Sequence, residues 1–208
     1  MDGLMMDYPL TLAHLFERVG RFFPTTELVT RRPDKSLHRS SYGDFHARTQ
    51  KFANALLRLG VKPGDRVATL GWNTSRHLEA YFAVPLVGAV LHTLNPRLSA
   101  TDLAYIMNHA EDQVLLVDDV LYPVFERFAH EVKPRHVIVW GHGGPVPPHT
   151  VDYEQLIEPE IPSFKIPRIE ENQALGICYT SGTTGRPKGV VYSHRAVVLH
   201  SMVSAMPD

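Results

Sequence analysis

Residues 179–190 read Tyr-Thr-Ser-Gly-Thr-Thr-Gly-Arg-Pro-Lys-Gly-Val and carry the densest group of chemistry-capable side chains in the chain. Thr180, Ser181, Thr183 and Thr184 supply hydroxyls, Gly182, Gly185 and Gly189 supply open backbone, and Lys188 supplies a cation. Glycine tolerates positive φ and lets a backbone approach another group with no Cβ in the way. Hydroxyls and the N–H groups of such a loop form a donor-rich concavity suited to an anion. Lysine adds a mobile point charge of the kind that meets phosphate. Pro187 biases Arg186 away from helical geometry, so the chain is expected to run extended into Lys188. Residues 174–178 lead in and Val190, Val191 and Tyr192 lead out, mostly apolar on both sides. The expected unit is therefore strand, phosphate-gripping loop, strand.

Spacing separates this loop from two commoner ones. A Walker A loop needs Gly-Lys-Ser/Thr four residues after its first glycine; counted from Gly182, Pro187 stands at the second glycine's place and Gly189 follows the lysine. No Gly-x-Gly-x-x-Gly opens a helix here, which removes the Rossmann pattern. An ordinary glycine-rich turn needs one or two special residues, not this whole set.

The stretch Tyr179–Val190 closely resembles the signature loop of the acyl-adenylate-forming superfamily, the AMP-dependent synthetases and ligases. Residues 64–68 (Gly-Asp-Arg-Val-Ala), 77–83 (His-Leu-Glu-Ala-Tyr-Phe-Ala), 88–93 (Gly-Ala-Val-Leu-His-Thr), 95–98 (Asn-Pro-Arg-Leu) and 108–112 (Asn-His-Ala-Glu-Asp) look like its fatty-acyl-CoA synthetase branch. The resemblance implies that residues 180–188, namely Thr180, Ser181, Gly182, Thr183, Thr184, Gly185 and Lys188 among them, grip the β- and γ-phosphates of ATP. It implies that Thr180 approaches a Mg²⁺ ion, that Lys188 acts in catalysis, and that coenzyme A is the co-substrate. The substrate implied is a carboxylic acid, most readily a medium- or long-chain fatty acid; a short thioether acid or an aryl acid would fit the same text. A homodimer is allowed by the resemblance. The superfamily's later Tyr-Gly-x-Thr-Glu motif, its ribose-holding aspartate and its lid lysine do not occur in these residues. The expectation is the N-terminal portion of an ATP-dependent acid–CoA ligase, cut after the signature loop and inactive alone. A non-catalytic nucleotide-binding or interaction fragment is the alternative.

The elements that must position the loop follow from periodicity. Leu12, Leu15, Phe16, Val19, Phe22 and Phe23 repeat at helical spacing behind Thr11, a candidate cap, and Pro24 ends the run. Two short runs around Pro33-Asp34-Lys35 predict a hairpin. Ser41-x-x-Asp44 is a capping box before a helix that buries Phe45, Thr49, Phe52, Leu56 and Leu59. Strands at 66–71, 89–93, 114–117 and 136–140 then alternate with helices at 73–87, 99–109 and 121–132. That alternation predicts an α/β fold, with a parallel sheet in α/β/α layers. Residues 1–140 are expected to form one α/β unit with an N-terminal helix and hairpin. Residues 141–169, rich in Gly and Pro around a helix-like 151–157, read as a surface connection. Residues 170–208 begin a second α/β unit that carries the loop, and Ala196, Leu199, Val203 and Met206 mark its helix.

Composition bounds the rest. The chain has 208 residues, is 44% hydrophobic, and carries 21 basic against 22 acidic residues. A sizeable core is affordable, and nothing in the charge points to nucleic acid. The N-terminus is acidic and lacks the basic start of a secretory signal, and no apolar run reaches the ~18 residues of a spanning helix. One cysteine, Cys178, excludes an intrachain disulfide, fits a reducing, cytoplasmic setting and is expected as a buried strand residue. None of the twelve histidines falls in a metal-ligand spacing. His77, His92, His109 and His194 are expected as hydrogen-bonded structural residues.

Overall fold

The computed structural model describes residues 5–141, 146–180 and 185–206. Its centre is a seven-stranded sheet built from β3 (Arg66–Leu70), β4 (Val90–Thr93), β5 (Asp112–Asp118), β6 (His136–Trp140), β7 (Val151–Asp152), β8 (Ala174–Thr180) and β9 (Lys188–Ser193). The strand order is β7-β6-β5-β3-β4-β8-β9, and every neighbouring pair is parallel except β8 with β9. β8 adds to β4 through Leu91–Gly176, His92–Ile177 and Thr93–Cys178, so the loop-bearing strands extend the sheet of the preceding residues. A separate hairpin pairs β1 (Glu27–Arg31) with β2 (Leu37–Ser41), as the turn residues predict.

Helices cover both faces, which explains the continuous apolar runs of the central strands. On one face α2 (Tyr42–Arg58), α3 (Ser75–Leu86) and α6 (Tyr153–Ile157) pack on Val67, Leu91, Val114, Leu116, Ile138 and Trp140. On the other, α4 (Ala100–Ala110) and α5 (Tyr122–Glu126) pack on Ala68, Leu70, Leu115, Val117 and Val139. Alternate residues of each strand thus feed opposite cores. α1 (Leu12–Phe22) lies on α2 and α3 through Phe16, Phe45 and Leu86, and α7 (His194–Ser204) follows β9.

The capping box of α2 is fully formed: Ser41 Oγ accepts from the Asp44 N–H while the Asp44 carboxylate accepts from the Ser41 N–H. Elsewhere tertiary structure shifts the expected signals. The helix expected over 73–87 starts at Ser75 and is capped by Thr74, whose hydroxyl accepts from the His77 N–H. Thr11 sits at the cap position of α1 but makes no side-chain cap bond; instead the Leu12 N–H donates to His194 Nδ1 from the far end of the chain. The expected helix over 121–132 is broken into α5 and flanking single 3₁₀ turns, because Phe128 leaves helical geometry (φ −129°, ψ 7°) and buries its ring completely. Residues 151–157 split into the edge strand β7 and α6. In α7 the expected apolar stripe is the outer one. Leu199 and Val203 are exposed, and His194 and Val198 turn inward instead, since among the described residues that is the side of α7 that packs.

Candidate functional site

The described ends of the loop lie toward the C-terminal edge of the parallel strands. After β3 the chain goes to β4 on one side, then crosses back so that β5 pairs on the other. In open parallel sheets a ligand crevice forms outside the C-terminal ends of strands near such a reversal. β8 runs parallel to β4 and ends on that same edge at Thr180.

β8 and β9 form an antiparallel ribbon in which Tyr179 stands opposite Gly189 and Thr180 opposite Lys188. Directly opposed residues share a face and have neighbouring Cβ atoms. The Thr180 hydroxyl and the Lys188 ammonium therefore rise together at the neck of the loop. Both are exposed, and among the described residues neither has a hydrogen-bond or ion-pair partner. Gly185 has φ +130°, a conformation that side-chain-bearing residues rarely adopt, which explains the glycine at this point of the loop. Gly189 is required for space: a Cβ there would lie 2.9 Å from Ile177 Cδ1 and 3.1 Å from Tyr179 Cζ. Of the residues assigned to this site, the structure brings together Thr180 and Lys188 and places Gly185 in the return limb. Ser181, Gly182, Thr183 and Thr184 lie outside the described residues.

Behind the neck stand residues that the loop sequence does not reveal. The Tyr179 hydroxyl is hydrogen-bonded to His109 Nδ1 at 2.6 Å. Burial pushes the Tyr179 hydroxyl pKa up, and the nearby Asp112 charge adds to it, so the phenol keeps its proton. The Tyr179 ring also lies 5.1 Å from that of His92, whose Nδ1 is 2.9 and 2.8 Å from the two oxygens of Asp112. Both members of this pair are wholly buried, and burial raises the Asp112 carboxyl against the pull of His92. His77, His92, His109 and His194 are each hydrogen-bonded, as expected: His77 to Trp72 O and Thr69 Oγ1, and His194 to the Leu12 N–H. Cys178 is a correction. It is half-buried, not buried, with Sγ 3.2 Å from Thr93 Oγ1, because the sheet near it is incompletely covered and Tyr81 and Val190 stay exposed. The one local hint is the i, i+4 spacing of Tyr105 and His109, which puts both on one helix face but does not show what that face meets.

The donors at the neck are a hydroxyl and an ammonium, and among the described residues no carboxylate is ion-paired with that ammonium. That set suits a phosphate chain. Among the described residues no group of three His, Cys, Asp or Glu side chains could hold a metal ion. A magnesium ion held chiefly by phosphate oxygens and water, with one hydroxyl from Thr180, is compatible with this set.

Comparison with known proteins points the same way. The sequence model of a family described as AMP-binding enzyme matches residues 16–207. The long-chain-fatty-acid–CoA ligase of Thermus thermophilus is 47% identical over 205 residues, covering 98% of this chain and 37% of that protein. The medium-chain-fatty-acid–CoA ligase of Ectopseudomonas oleovorans is 41% identical over 213 residues, covering 100% of this chain and 39% of that protein. The chain thus spans less than half the length of these curated relatives. Among solved structures, a long-chain-fatty-acid-CoA ligase from Archaeoglobus fulgidus superposes with a TM-score of 0.81 at 22% identity, over 94% of this chain and 38% of that one. At that identity the likeness shows the fold. Among the described residues no helix is long and apolar enough to cross a membrane.

Proposed function

Because this chain belongs to the AMP-binding enzyme family, we propose that the protein activates a carboxylic acid with ATP and passes the acyl group to coenzyme A. The observation that carries this reading is the unpaired Thr180–Lys188 couple at the neck of a hydroxyl- and glycine-rich loop, on the sheet edge where ligands gather.

In the first step a carboxylate oxygen bonds to the α-phosphorus of ATP while the bond from that phosphorus to the β-bridging oxygen breaks. Pyrophosphate leaves and an acyl-adenylate remains. Charge grows on the departing phosphates, so fixed donors aimed there lower the barrier. Lys188 is the cation in this role, and the hydroxyls and N–H groups of residues 180–185 are the neutral donors. At 4 Å and an effective dielectric of ~20, one unit charge contributes ~4 kcal/mol of attraction, so a single lysine matters. Magnesium would neutralise further phosphate charge, with Thr180 the residue of this chain facing it. In the second step the thiolate of coenzyme A attacks the acyl carbonyl and AMP departs; residues for that step are not among those described.

The names of the relatives favour a medium- or long-chain fatty acid as substrate. The lone cysteine supports a reducing, cytoplasmic setting. The test is to incubate the full-length protein with MgATP, coenzyme A and a panel of fatty, short thioether and aryl acids, following pyrophosphate and AMP. Equal release of both, highest with a fatty acid of eight or more carbons (on the order of tenfold over aryl acids), is expected. ADP and inorganic phosphate as products would refute the adenylation reading.

A further inference from the structure

One face of α4 meets both ends of the 179–188 loop. Tyr105 and His109 are one helical turn apart, with ring centroids 5.5 Å from each other. His109 holds the β8 end, through the 2.6 Å hydrogen bond to the Tyr179 hydroxyl and an edge-to-face contact of the two rings at 5.8 Å. Tyr105 holds the returning end: the Arg186 guanidinium lies 5.1 Å above its ring centroid, inside cation–π range. The buried His92–Asp112 pair abuts the Tyr179 ring, and Gly189 leaves the space that this ring fills.

This arrangement bears on how the loop could bind phosphate. A glycine-rich span is costly to order, since glycine loses the most conformational freedom. Fixing Tyr179 and Arg186 sets where the two described ends of the loop stand before a ligand arrives. Arg186 is also accounted for. It is an exposed cation beside an anion-binding loop, yet it rests on an aromatic face that directs it to α4.

We infer that Tyr105 and His109 are positioning residues for the phosphate loop, a two-point clamp that presets it for the nucleotide, with Arg186 a strut and not a phosphate ligand. The inference rests on the phosphate-loop reading above. A clamp lowers the ordering cost of binding and so shows in affinity for MgATP.

Two measurements on the full-length protein test it: amide hydrogen exchange of residues 179–188 without nucleotide, and MgATP affinity by calorimetry. His109→Ala and Tyr179→Phe should each speed exchange and each weaken MgATP roughly 2- to 10-fold, the span of one neutral hydrogen bond. The double variant should be no worse than either single one, because the same bond is lost once. Tyr105→Leu should weaken MgATP roughly 2- to 5-fold and Tyr105→Phe, which keeps the ring face, should restore it. Exchange that is unchanged in His109→Ala, or additive losses in the double variant, would overturn the clamp. Lys188→Glu separates the two readings, since its reversed charge should abolish MgATP binding. If that variant binds as the unmodified protein does, the phosphate reading falls and the exchange measurement alone decides the clamp.

Discussion

Two groups of charged side chains in this molecule are built in opposite ways. Between α2, α3 and α6, Arg48 donates to both oxygens of Glu79 and both of Glu154, Arg76 donates to Glu154, and the Tyr153 hydroxyl donates to Glu79 at 2.5 Å. Glu79 is 2% exposed, and each charge in the group faces an opposite one. At the neck of the loop, Lys188 and Thr180 are exposed and unpartnered among the described residues. A charge that is buried and fully paired serves to hold three helices in register. An exposed charge with no opposite charge paired to it among the described residues remains free to meet a ligand.

Burial pushes the Glu79 carboxyl pKa up, with Arg48 pulling the other way, so the group depends on its partners. Arg48→Met should therefore produce the largest loss, about 3–5 kcal/mol of folding stability, by leaving a carboxylate buried beside only a hydroxyl. Urea denaturation measures it, and the loss should shrink in acid as Glu79 takes a proton. MgATP affinity of the folded protein should not follow; if it does, the contrast between the two regions is wrong.

His194 sharpens the comparison because it is buried and neutral, without a charged partner among the described residues. Burial depresses its pKa from 6.5 to about 4, and its Nδ1 must stay unprotonated to accept from the Leu12 N–H. The unfolded chain takes this proton first. The stabilisation is thus complete above pH 6.5 and is lost as pH falls toward 4, by about 3 kcal/mol in all. His194→Gln keeps an acceptor that does not titrate. The difference in urea midpoint between the two proteins should narrow or reverse between pH 7 and 4; a constant difference would refute this account.

Lys188→Ala is expected to have the smallest effect in free energy and the most selective. Loss of one charge-assisted hydrogen bond, ~1.5–3 kcal/mol, lowers kcat/KM for adenylation roughly 10- to 150-fold. The thermal midpoint should be unaffected, because no described residue depends on this ammonium. Thioester formation from a pre-made acyl-adenylate bypasses ATP and should survive far better. Equal damage to both half-reactions in a normally folded variant would reduce residues 179–190 to a structural turn.

The sequence alone determined a good deal, wherever the physics is local. The reciprocal cap at Ser41 and Asp44 is set by three-residue spacing, the hairpin by the residues at its turn, and the parallel strands by continuous apolar runs between amphipathic helices. The loop was legible for the same reason, since hydroxyls, glycines and a lysine lie within one short segment. Tertiary structure decided whatever joins distant parts of the chain. It paired Leu12 with His194 in place of the Thr11 cap, took Phe128 out of its helix to fill the core, and turned Val198 inward in place of the predicted stripe of α7. It also brought α4 against the loop. His109 lies 70 residues before Tyr179, and the i, i+4 spacing of Tyr105 and His109 marks a shared helix face without showing what that face meets. Their role arises because β8 adds to the sheet beside β4, a choice made by strand pairing and burial across the whole domain.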